Sequence, residues 1–266
     1  DTPTIAISAV AADVTEGPDV YATFALTKTG ESEVDGKVQV ALNLGTGANA
    51  AEAADFDGPL QYKGTDGQWH DVPADGWIPV GASATTDTIE LRIKVVDDSI
   101  LEHTETFSVE ITGVSELIKG TATAAGSITD ENNGLDDTPT IAISAVAADV
   151  TEGPDVYATF ALTKTGESEV DGKVQVALNL GTGANAAEAA DFDGPLQYKG
   201  TDGQWHDVPA DGWIPVGASA TTDTIELRIK VVDDSILEHT ETFSVEITGV
   251  SELIKGTATA AGSITD

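Results

Sequence analysis

The sequence repeats itself without a substitution. Residues 1–130 recur as residues 137–266, and six residues, 131–136, separate the two copies. An offset of 136 residues is too long for a solenoid unit that needs its neighbours to complete a core, so each copy should fold as a domain of its own. The sequence therefore predicts two identical domains in a beads-on-a-string arrangement, and we expect them to be part of a longer array.

The chain is strongly acidic. It holds 46 Asp and Glu against 12 Lys and Arg, for a formal net charge of −34. Nucleic acids and anionic membranes are poor partners for such a chain, because their binding depends on Lys and Arg at the phosphates. Cations are the natural partners. An acidic composition also serves solubility alone, so the positions of the acids have to decide between the two interpretations.

Other function classes are disfavoured by what the sequence lacks. Cysteine is absent, so a metal has to be bound by oxygen or by histidine. No apolar run reaches the roughly 20 residues that span a bilayer, so we expect no membrane insertion. His70 and His103 are the histidines of one copy, and neither lies in a nucleophile elbow or beside a phosphate-binding glycine loop. We do not expect an enzyme.

Apolar and polar residues alternate with a period of two along three segments of each copy, which is typical of half-buried β-strands. Thr4–Ala9, Tyr21–Lys28 and Thr121–Ile128 show weaker strand patterns, whereas Ala48–Ala54 offers at most one helical turn. Seven or so short strands predict an antiparallel β-sandwich. The inward positions of the three clear strands are Val38, Val40, Leu42 and Leu44; Ile89, Leu91, Ile93 and Val95; and Phe107, Val109 and Ile111.

The segment Leu60–Pro79 is rich in Gly, Asp and Pro and predicts a hairpin. It carries Trp69 and Trp77 together with Tyr62 and His70. These side chains could form an aromatic surface pair that binds a sugar or a partner, or they could cap the core of a small sandwich.

Seven acidic residues of each copy lie at strand ends and are not the polar half of an alternating pattern. Strand junctions gather at the two ends of a sandwich, so these carboxylates should converge and repel one another. A hard divalent cation with oxygen ligands resolves the repulsion, and Ca²⁺ suits an irregular carboxylate set better than Mg²⁺ does. In the first copy they are Glu16, Asp55, Asp97, Asp98, Glu102, Glu105 and Asp130.

Three motifs occur in the order that is found in Calx-β domains. They are Thr15-Glu16-Gly17, Ala54-Asp55-Phe56 and the run from Val95 to Phe107 that contains Asp97-Asp98 and Glu102-His-Thr-Glu105. Each copy therefore resembles the Calx-β family over nearly its whole length. That family consists of immunoglobulin-like sandwiches known from the sodium–calcium exchanger, and similar modules recur as extenders in giant repeats-in-toxin adhesins of bacteria.

The resemblance implies a set of calcium ligands in each copy. Where exchanger domains have three consecutive Asp residues, this chain has Asp97-Asp98-Ser99, which implies fewer or weaker ions. The implied ligands of the first copy are Glu16, Asp55, Asp97, Asp98, the carbonyl of Ile100, Glu102, Glu105 and Asp130; those of the second are Glu152, Asp191, Asp233, Asp234, Ile236, Glu238, Glu241 and Asp266.

The linker is rich in carboxylate and amide oxygens, unlike a flexible Gly/Ser tether. Glu131, Asn132, Asp136 and Asp137 could hold a further calcium ion and stiffen the joint, although Asn133-Gly134 is also an ordinary turn signal.

The predicted protein is thus an all-β, monomeric pair of tandem immunoglobulin-like, Calx-β-like sandwiches: repeat 1 over residues 1–130, a linker over 131–136, and repeat 2 over 137–266. Its partners would be calcium ions and neighbouring repeats, without nucleic acid. The resemblance implies an extracellular extender at a bacterial surface. A calcium-sensing regulatory module and a carbohydrate- or partner-binding sandwich are the alternatives.

Overall fold

A computed structural model describes residues 2–83, 86–130, 137–219 and 222–266 of the chain. The chain divides into two compact units, one built on each repeat. The regular secondary structure of the described residues consists of β-strands and one 3-10 turn at Ala189–Asp191. None of them belongs to a helix that is long and apolar enough to cross a membrane.

The described residues of the first repeat contain twelve strands, five of them eight residues or longer. The strands are β1 (Thr4–Ala11), β2 (Asp13–Thr15), β3 (Tyr21–Thr29), β4 (Gly36–Asn43), β5 (Gln61–Lys63), β6 (Trp69–Asp71), β7 (Trp77–Val80), β8 (Asp87–Lys94), β9 (Ile100–Leu101), β10 (Glu105–Ser115), β11 (Ile118–Lys119) and β12 (Thr123–Thr129).

The described residues of the second repeat also contain twelve strands, but β9 has no counterpart among them and β16 has no counterpart in the first repeat. Its strands are β13 (Thr140–Ala147), β14 (Asp149–Thr151), β15 (Tyr157–Thr165), β16 (Glu167–Ser168), β17 (Gly172–Asn179), β18 (Gln197–Lys199), β19 (Trp205–Asp207), β20 (Trp213–Val216), β21 (Asp223–Lys230), β22 (Glu241–Ser251), β23 (Ile254–Lys255) and β24 (Thr259–Thr265).

Each repeat is a sandwich of two sheets. In the first repeat the sheets have the strand orders β11-β1-β3-β8-β5-β6 and β2-β12-β10-β4-β7. Most neighbours are antiparallel, but β1 pairs with β11, and β2 with β12, in parallel. The consecutive strands β1 and β2 therefore belong to different sheets and tie the two layers together near the start of the repeat.

The predicted alternation is the one that builds the core. In the first repeat Val38, Leu91 and Val109 are fully buried, and the other inward positions of the three clear strands are buried or half-buried. In the second repeat Val174, Leu227 and Val245 take the same places. The prediction of two β-sandwiches is confirmed, and residues 48–54 form no helix.

The hairpin prediction is right for residues 61–71, and of the two alternatives for the aromatic residues, a surface pair of Trp69 and Trp77 does not form, because they lie on strands of different sheets. β5 and β6 form an antiparallel hairpin at the edge of one sheet, with Tyr62 opposite His70. Trp77 lies on β7 at the edge of the other sheet. Its ring lies directly over Gly113, where an added Cβ would be 3.1 Å away. The chain crosses between the sheets after β6, and this crossing separates Trp69 from Trp77.

The end of each sandwich near the start of β4 holds a buried lysine. Lys28 occupies the last inward position of β3, and its side chain is 1% exposed. Its Nζ donates to Ser83 Oγ at 2.7 Å and to the carbonyl of Gly81 at 3.4 Å. In the second repeat Lys164 Nζ donates to the carbonyl of Gly217 at 3.3 Å, and burial lowers the pKa of this amine. We call this end the lysine pole.

Candidate metal centre

Glu16 and Asp130 are placed side by side by strand pairing. β2 runs parallel to the end of β12, with Thr15 opposite Thr129. The backbone N–H of Glu16 donates to the carbonyl of Thr129 at 2.9 Å. The residues that follow the two strands, Glu16 and Asp130, therefore emerge at the same end of the sandwich, and both side chains are buried.

Asp55 reaches the same end through a short bridge beside β8. Phe56 pairs with Val95, and the N–H of Val96 donates to the carbonyl of Asp55 at 2.8 Å. The Asp55 carboxylate accepts the N–H of Glu52 at 2.5 Å, which fixes its direction. Because the chain continues from Val96 into Asp98, two acidic segments come together at this end of the sandwich.

Glu102 and Glu105 complete the cluster from the turn before β10. The N–H of Glu102 donates to the Asp130 carboxylate at 3.2 Å, and Glu105 is in register with Ile128 of β12. One carboxylate oxygen from each of Asp55, Glu102 and Glu105 lies within 4.8 Å of the others. We call Glu16, Asp55, Asp98, Glu102, Glu105 and Asp130 the acidic pole of the first repeat.

Aromatic packing holds the segments that carry these carboxylates. Phe56 meets Phe107 edge to face, with ring centroids 5.1 Å apart, and Phe24 meets Phe107 in the same way at 6.0 Å. Phe56 follows Asp55, and Phe107 comes two residues after Glu105. The carboxylates are thus attached to a packed apolar layer and not to loose loops.

The acidic pole is electrostatically strained when it contains protein atoms alone. The pKa of Glu16 is raised to about 8, mostly by burial and then by the negative charges of Glu102, Asp98, Asp130 and Asp55 in that order. Both causes oppose ionisation. A carboxyl group that stays protonated near neutral pH marks a site that needs a positive charge.

The second repeat gathers the equivalent residues. The Asp191 carboxylate accepts the N–H of Glu188 at 2.6 Å, and the Asp266 carboxylate accepts the N–H of Glu238 at 2.5 Å. Two sets of three residues have carboxylate oxygens within 4.8 Å of one another, and Glu238 belongs to both. One set is Glu152, Glu238 and Asp266; the other is Asp191, Glu238 and Glu241.

Repulsion is visible in the second repeat as well. The pKa of Glu241 is raised to about 7, first by a hydrogen bond with Asp191 and then by burial and by the charges of nearby carboxylates. Burial also raises the pKa of Glu152, and the charges of Asp266, Asp234 and Asp191 act in the same direction. We call Glu152, Asp191, Asp234, Glu238, Glu241 and Asp266 the acidic pole of the second repeat.

Other predicted ligands have different positions. Asp97 is exposed and lines a neighbouring hollow with Asp57 and Lys94, and its counterpart Asp233 is exposed. Ile100 is half-buried in β9, whereas Ile236 is 61% exposed. Asp137 is buried, with 2% of its surface exposed. The linker residues Glu131, Asn132 and Asp136 lie outside the described residues.

One acidic residue beside the acidic pole of the second repeat, Glu188, was not among the predicted ligands. The charge of Glu188 contributes to the raised pKa of Glu241, and Glu188 begins the 3-10 turn at Ala189–Asp191. Its counterpart in the first repeat is Glu52. The Ala-rich stretch around these residues has no strand pattern, so nothing in the sequence showed that it folds against the acidic pole.

The donor set fits a hard divalent cation. All of the converging side chains are carboxylates, so they offer oxygen and neither nitrogen nor sulfur. Sets of this kind match Ca²⁺, which accepts mono- and bidentate carboxylates in irregular geometry. Zinc and copper sites usually include imidazole or thiolate, and the chain has no cysteine.

Several solved structures are similar to the chain at low identity. CBD12 from CALX1.2 is 14% identical, with 99% of this chain and 100% of that chain covered and a TM-score of 0.36. The CupB6 tip adhesin from Pseudomonas aeruginosa is 10% identical, with 99% of each chain covered and a TM-score of 0.36. The apo form of the Calx CBD1 domain is 18% identical over 48% of this chain and 99% of that one, with a TM-score of 0.34.

The chain matches none of the curated proteins. The profile of the Calx-beta domain matches residues 83–132 and 219–265, which occupy corresponding places in the two repeats. In each repeat the matched segment runs from the start of the long strand before the acidic turn to the end of the last strand. The similarity to Calx-beta domains therefore covers the C-terminal part of each repeat, where most of its acidic pole lies.

Proposed function

We propose that each repeat binds calcium at its acidic pole and that the chain is a structural extender of a large secreted bacterial adhesin. In this role calcium stiffens the repeats, and an array of them holds a distant ligand-binding region away from the cell surface. The observation that carries the proposal is the convergence of six carboxylates on one end of each sandwich.

The electrostatics of the acidic pole favour a folded repeat that takes up a cation from solution. Without a cation, Glu16 keeps a proton or the pole carries several unbalanced charges. A cation that binds the folded repeat stabilises it by mass action, since the unfolded chain does not hold the carboxylates together. Calcium sites of extracellular modules have dissociation constants of about 10⁻⁴–10⁻³ M. An extender of this type would fold fully only outside the cell.

Calorimetric titration with calcium tests the proposal. We expect binding by the full chain and a rise in its melting temperature, with a much smaller response to magnesium. Glu102→Gln combined with Glu238→Gln should weaken calcium binding at least tenfold. Glu116→Gln combined with Glu252→Gln is the matched control. These substitutions remove the same charge, but Glu116 follows the C-terminal end of β10, whereas the acidic turn precedes its N-terminal end. Equal calcium responses of the two variants would contradict the proposal.

The affinity separates the extender from a calcium sensor. Sensors bind calcium with dissociation constants of about 10⁻⁷–10⁻⁵ M and change conformation on binding. We expect the weaker extracellular range and no exposure of a new apolar surface.

We also propose that calcium stiffens the joint at residues 131–136, where Glu131, Asn132 and Asp136 supply oxygens. Small-angle X-ray scattering of the full chain should show a narrower distribution of maximum dimensions with calcium than with chelator. Identical scattering in the two conditions would contradict the claim that calcium stiffens the joint. It would not bear on calcium binding by the repeats.

A further inference from the structure

Lys94 is the last residue of β8, at the point where this strand leads into the acidic turn. Its Nζ lies 3.0 Å from a carboxylate oxygen of Asp57 and 3.7 Å from one of Asp19. The lysine side chain is 31% exposed, so it is held partly within the protein surface. One ammonium group is thus shared by two carboxylates from different parts of the first repeat.

All three members of this ion-pair group belong to segments that carry residues of the acidic pole. Asp19 lies three residues after Glu16. Asp57 lies two residues after Asp55, and the lysine itself lies four residues before Asp98. The ammonium therefore joins the three segments that supply these carboxylates.

Backbone hydrogen bonds bring the three segments side by side. The N–H of Asp57 donates to the carbonyl of Lys94 at 3.1 Å, and the N–H of Val95 donates to the carbonyl of Val20 at 3.0 Å. Next to these bonds the three segments line a shared hollow of about 520 Å³. Because open space lies between the segments there, the ion pairs add a restraint that close packing does not supply.

The second repeat has the same arrangement. Lys230 Nζ lies 3.0 Å from a carboxylate oxygen of Asp193 and 3.5 Å from one of Asp155. The hydrogen bond with Asp193 raises the pKa of the Lys230 amine, as the bond with Asp57 raises that of Lys94. Both amines are therefore charged at neutral pH.

Such a lysine has two opposite effects on a nearby cation site. Ion pairs at this degree of exposure contribute little to global stability, so their consequence is local. Holding ligand-bearing segments in place strengthens binding, because less order has to be gained when the ligand arrives. The positive charge itself weakens binding, because it repels the cation. Removal of the ammonium therefore changes the affinity in a direction that shows which effect is larger.

We propose that Lys94 is a positioning residue for calcium in the first repeat and that Lys230 has this role in the second. The ammonium holds the segments that carry Glu16, Asp55 and Asp98 in the arrangement that binds the ion. This inference rests on the calcium binding proposed above. Loss of a positive charge then weakens the binding of a cation, which is the reverse of the effect of charge alone.

Calorimetric titration of the full chain with calcium tests this inference. Lys94→Gln with Lys230→Gln should weaken calcium binding at least threefold. Lys94→Arg with Lys230→Arg should stay within twofold of the unchanged chain, because a guanidinium can keep both ion pairs. Lys63→Gln with Lys199→Gln is the control, because Lys63 pairs at 3.2 Å with Glu90 in the middle of β8, away from the ligand-bearing segments. The control should bind calcium at least as tightly as the unchanged chain.

A double-mutant cycle identifies the ion pair as the cause. Asp57→Asn with Asp193→Asn removes the pair from its other side and should also weaken calcium binding. Combined with the glutamine variants of Lys94 and Lys230, it should weaken binding no more than twofold beyond the lysine change alone. Thermal unfolding in chelator verifies that the variants remain folded, and if the lysine variant does not, the aspartate variant and the arginine variant carry the test.

Several outcomes would overturn the inference. They are unchanged or tighter calcium binding by the glutamine variants of Lys94 and Lys230, failure of arginine to restore the affinity, equal weakening by the Lys63 control, and additive effects in the cycle. Absence of calcium binding by the unchanged chain would overturn the proposed function together with this inference. The behaviour of the unchanged chain thus distinguishes the two failures.

Discussion

Glu16 lowers the stability of the folded chain by burying a carboxyl group, yet it is also a candidate metal ligand. Its carboxyl is 8% exposed and is surrounded by acids of the first acidic pole. For burial alone an apolar residue would be the better choice, because an ionised carboxylate without a partner is costly in a protein interior. The cation that we propose for the acidic pole would account for a glutamate at this position.

Replacing Glu16 should therefore separate stability from metal binding. We expect Glu16→Gln in the first repeat to stabilise the chelated protein by roughly 2–3 kcal/mol at pH 7, because the neutral amide carries no ionisation penalty. The same change should lower the calcium-induced rise in melting temperature. Denaturant unfolding with and without chelator measures both effects. A variant that is less stable in chelator would contradict this account.

Gly126 lies at a position where the packing leaves no room for a side chain. An added Cβ would lie 2.6 Å from the carbonyl oxygen of Ala12 and 2.8 Å from the ring of Phe107. We expect Gly126→Ala to destabilise the first repeat by about 1–3 kcal/mol, because backbone and a packed ring have to move. Gly81→Ala is the control, since nothing lies within 4 Å of the Cβ it would add. Urea unfolding of the two variants should differ clearly.

At the scale of elements, the β5–β6 hairpin depends on a stacked cation. The Arg92 guanidinium lies 4.3 Å from the centroid of Tyr21 and 4.1 Å from that of Trp69, and its Nε donates to Gln61 at 2.9 Å. This arrangement links β8, which carries Arg92, to β3, β5 and β6. The other contacts that hold the hairpin are the pairing of β5 with β8, the Lys63–Glu90 ion pair and the packing of Tyr62 against the core.

Removal of this guanidinium should loosen the hairpin in particular. We expect Arg92→Leu to cost about 1–2 kcal/mol, since two cation–π contacts of about 0.5–1 kcal/mol each disappear. Amide hydrogen exchange should accelerate in β5 and β6 more than in β3 or β10. Lys37→Leu, at an exposed position of β4, controls for the loss of one charge. Uniform acceleration in all strands would argue against a local clamp.

The long strands could be predicted from the sequence and the short ones could not. The strands that carry Val38, Leu91 and Val109 are visible in the sequence, because one face of each strand is buried and its apolar residues therefore recur at every second position. The three residues of β2, β5 or β6 cannot show a period of two, and β7 was hidden within a segment that reads as one hairpin. The acidic residues at strand ends were visible, but the role of Glu188 depends on how a strandless segment folds back.

At the scale of the whole molecule, stability should depend on pH and calcium together. Glu16 and Glu241 have pKa values of about 8 and 7 in the folded protein, above their usual 4.5. The unfolded chain releases these protons first as the pH rises. The folded state then holds more protons, so the free energy of unfolding falls as the pH rises from about 4.5 to 8.

In chelator we expect this fall to be about 1.4 kcal/mol per pH unit for each group, up to about pH 8 for Glu16 and up to about pH 7 for Glu241. Calcium should remove the fall, because the bound cation favours the ionised carboxylates. Denaturant unfolding from pH 4.5 to 8.5 in the two conditions provides the measurement. Parallel curves with and without calcium would show that the two acidic poles do not govern stability.

The buried lysine gives every repeat two unlike ends. The ammonium of Lys28 is part of the covalent chain and cannot be diluted, exported or sequestered, whereas the positive charge that suits the acidic pole has to come from solution. If the acidic pole binds calcium as we propose, a drop in ambient calcium acts on one end of the domain only. Fraying should start at that end and stop before it reaches the other, so that a partly opened repeat retains a template from which its strands can pair again when the ion returns.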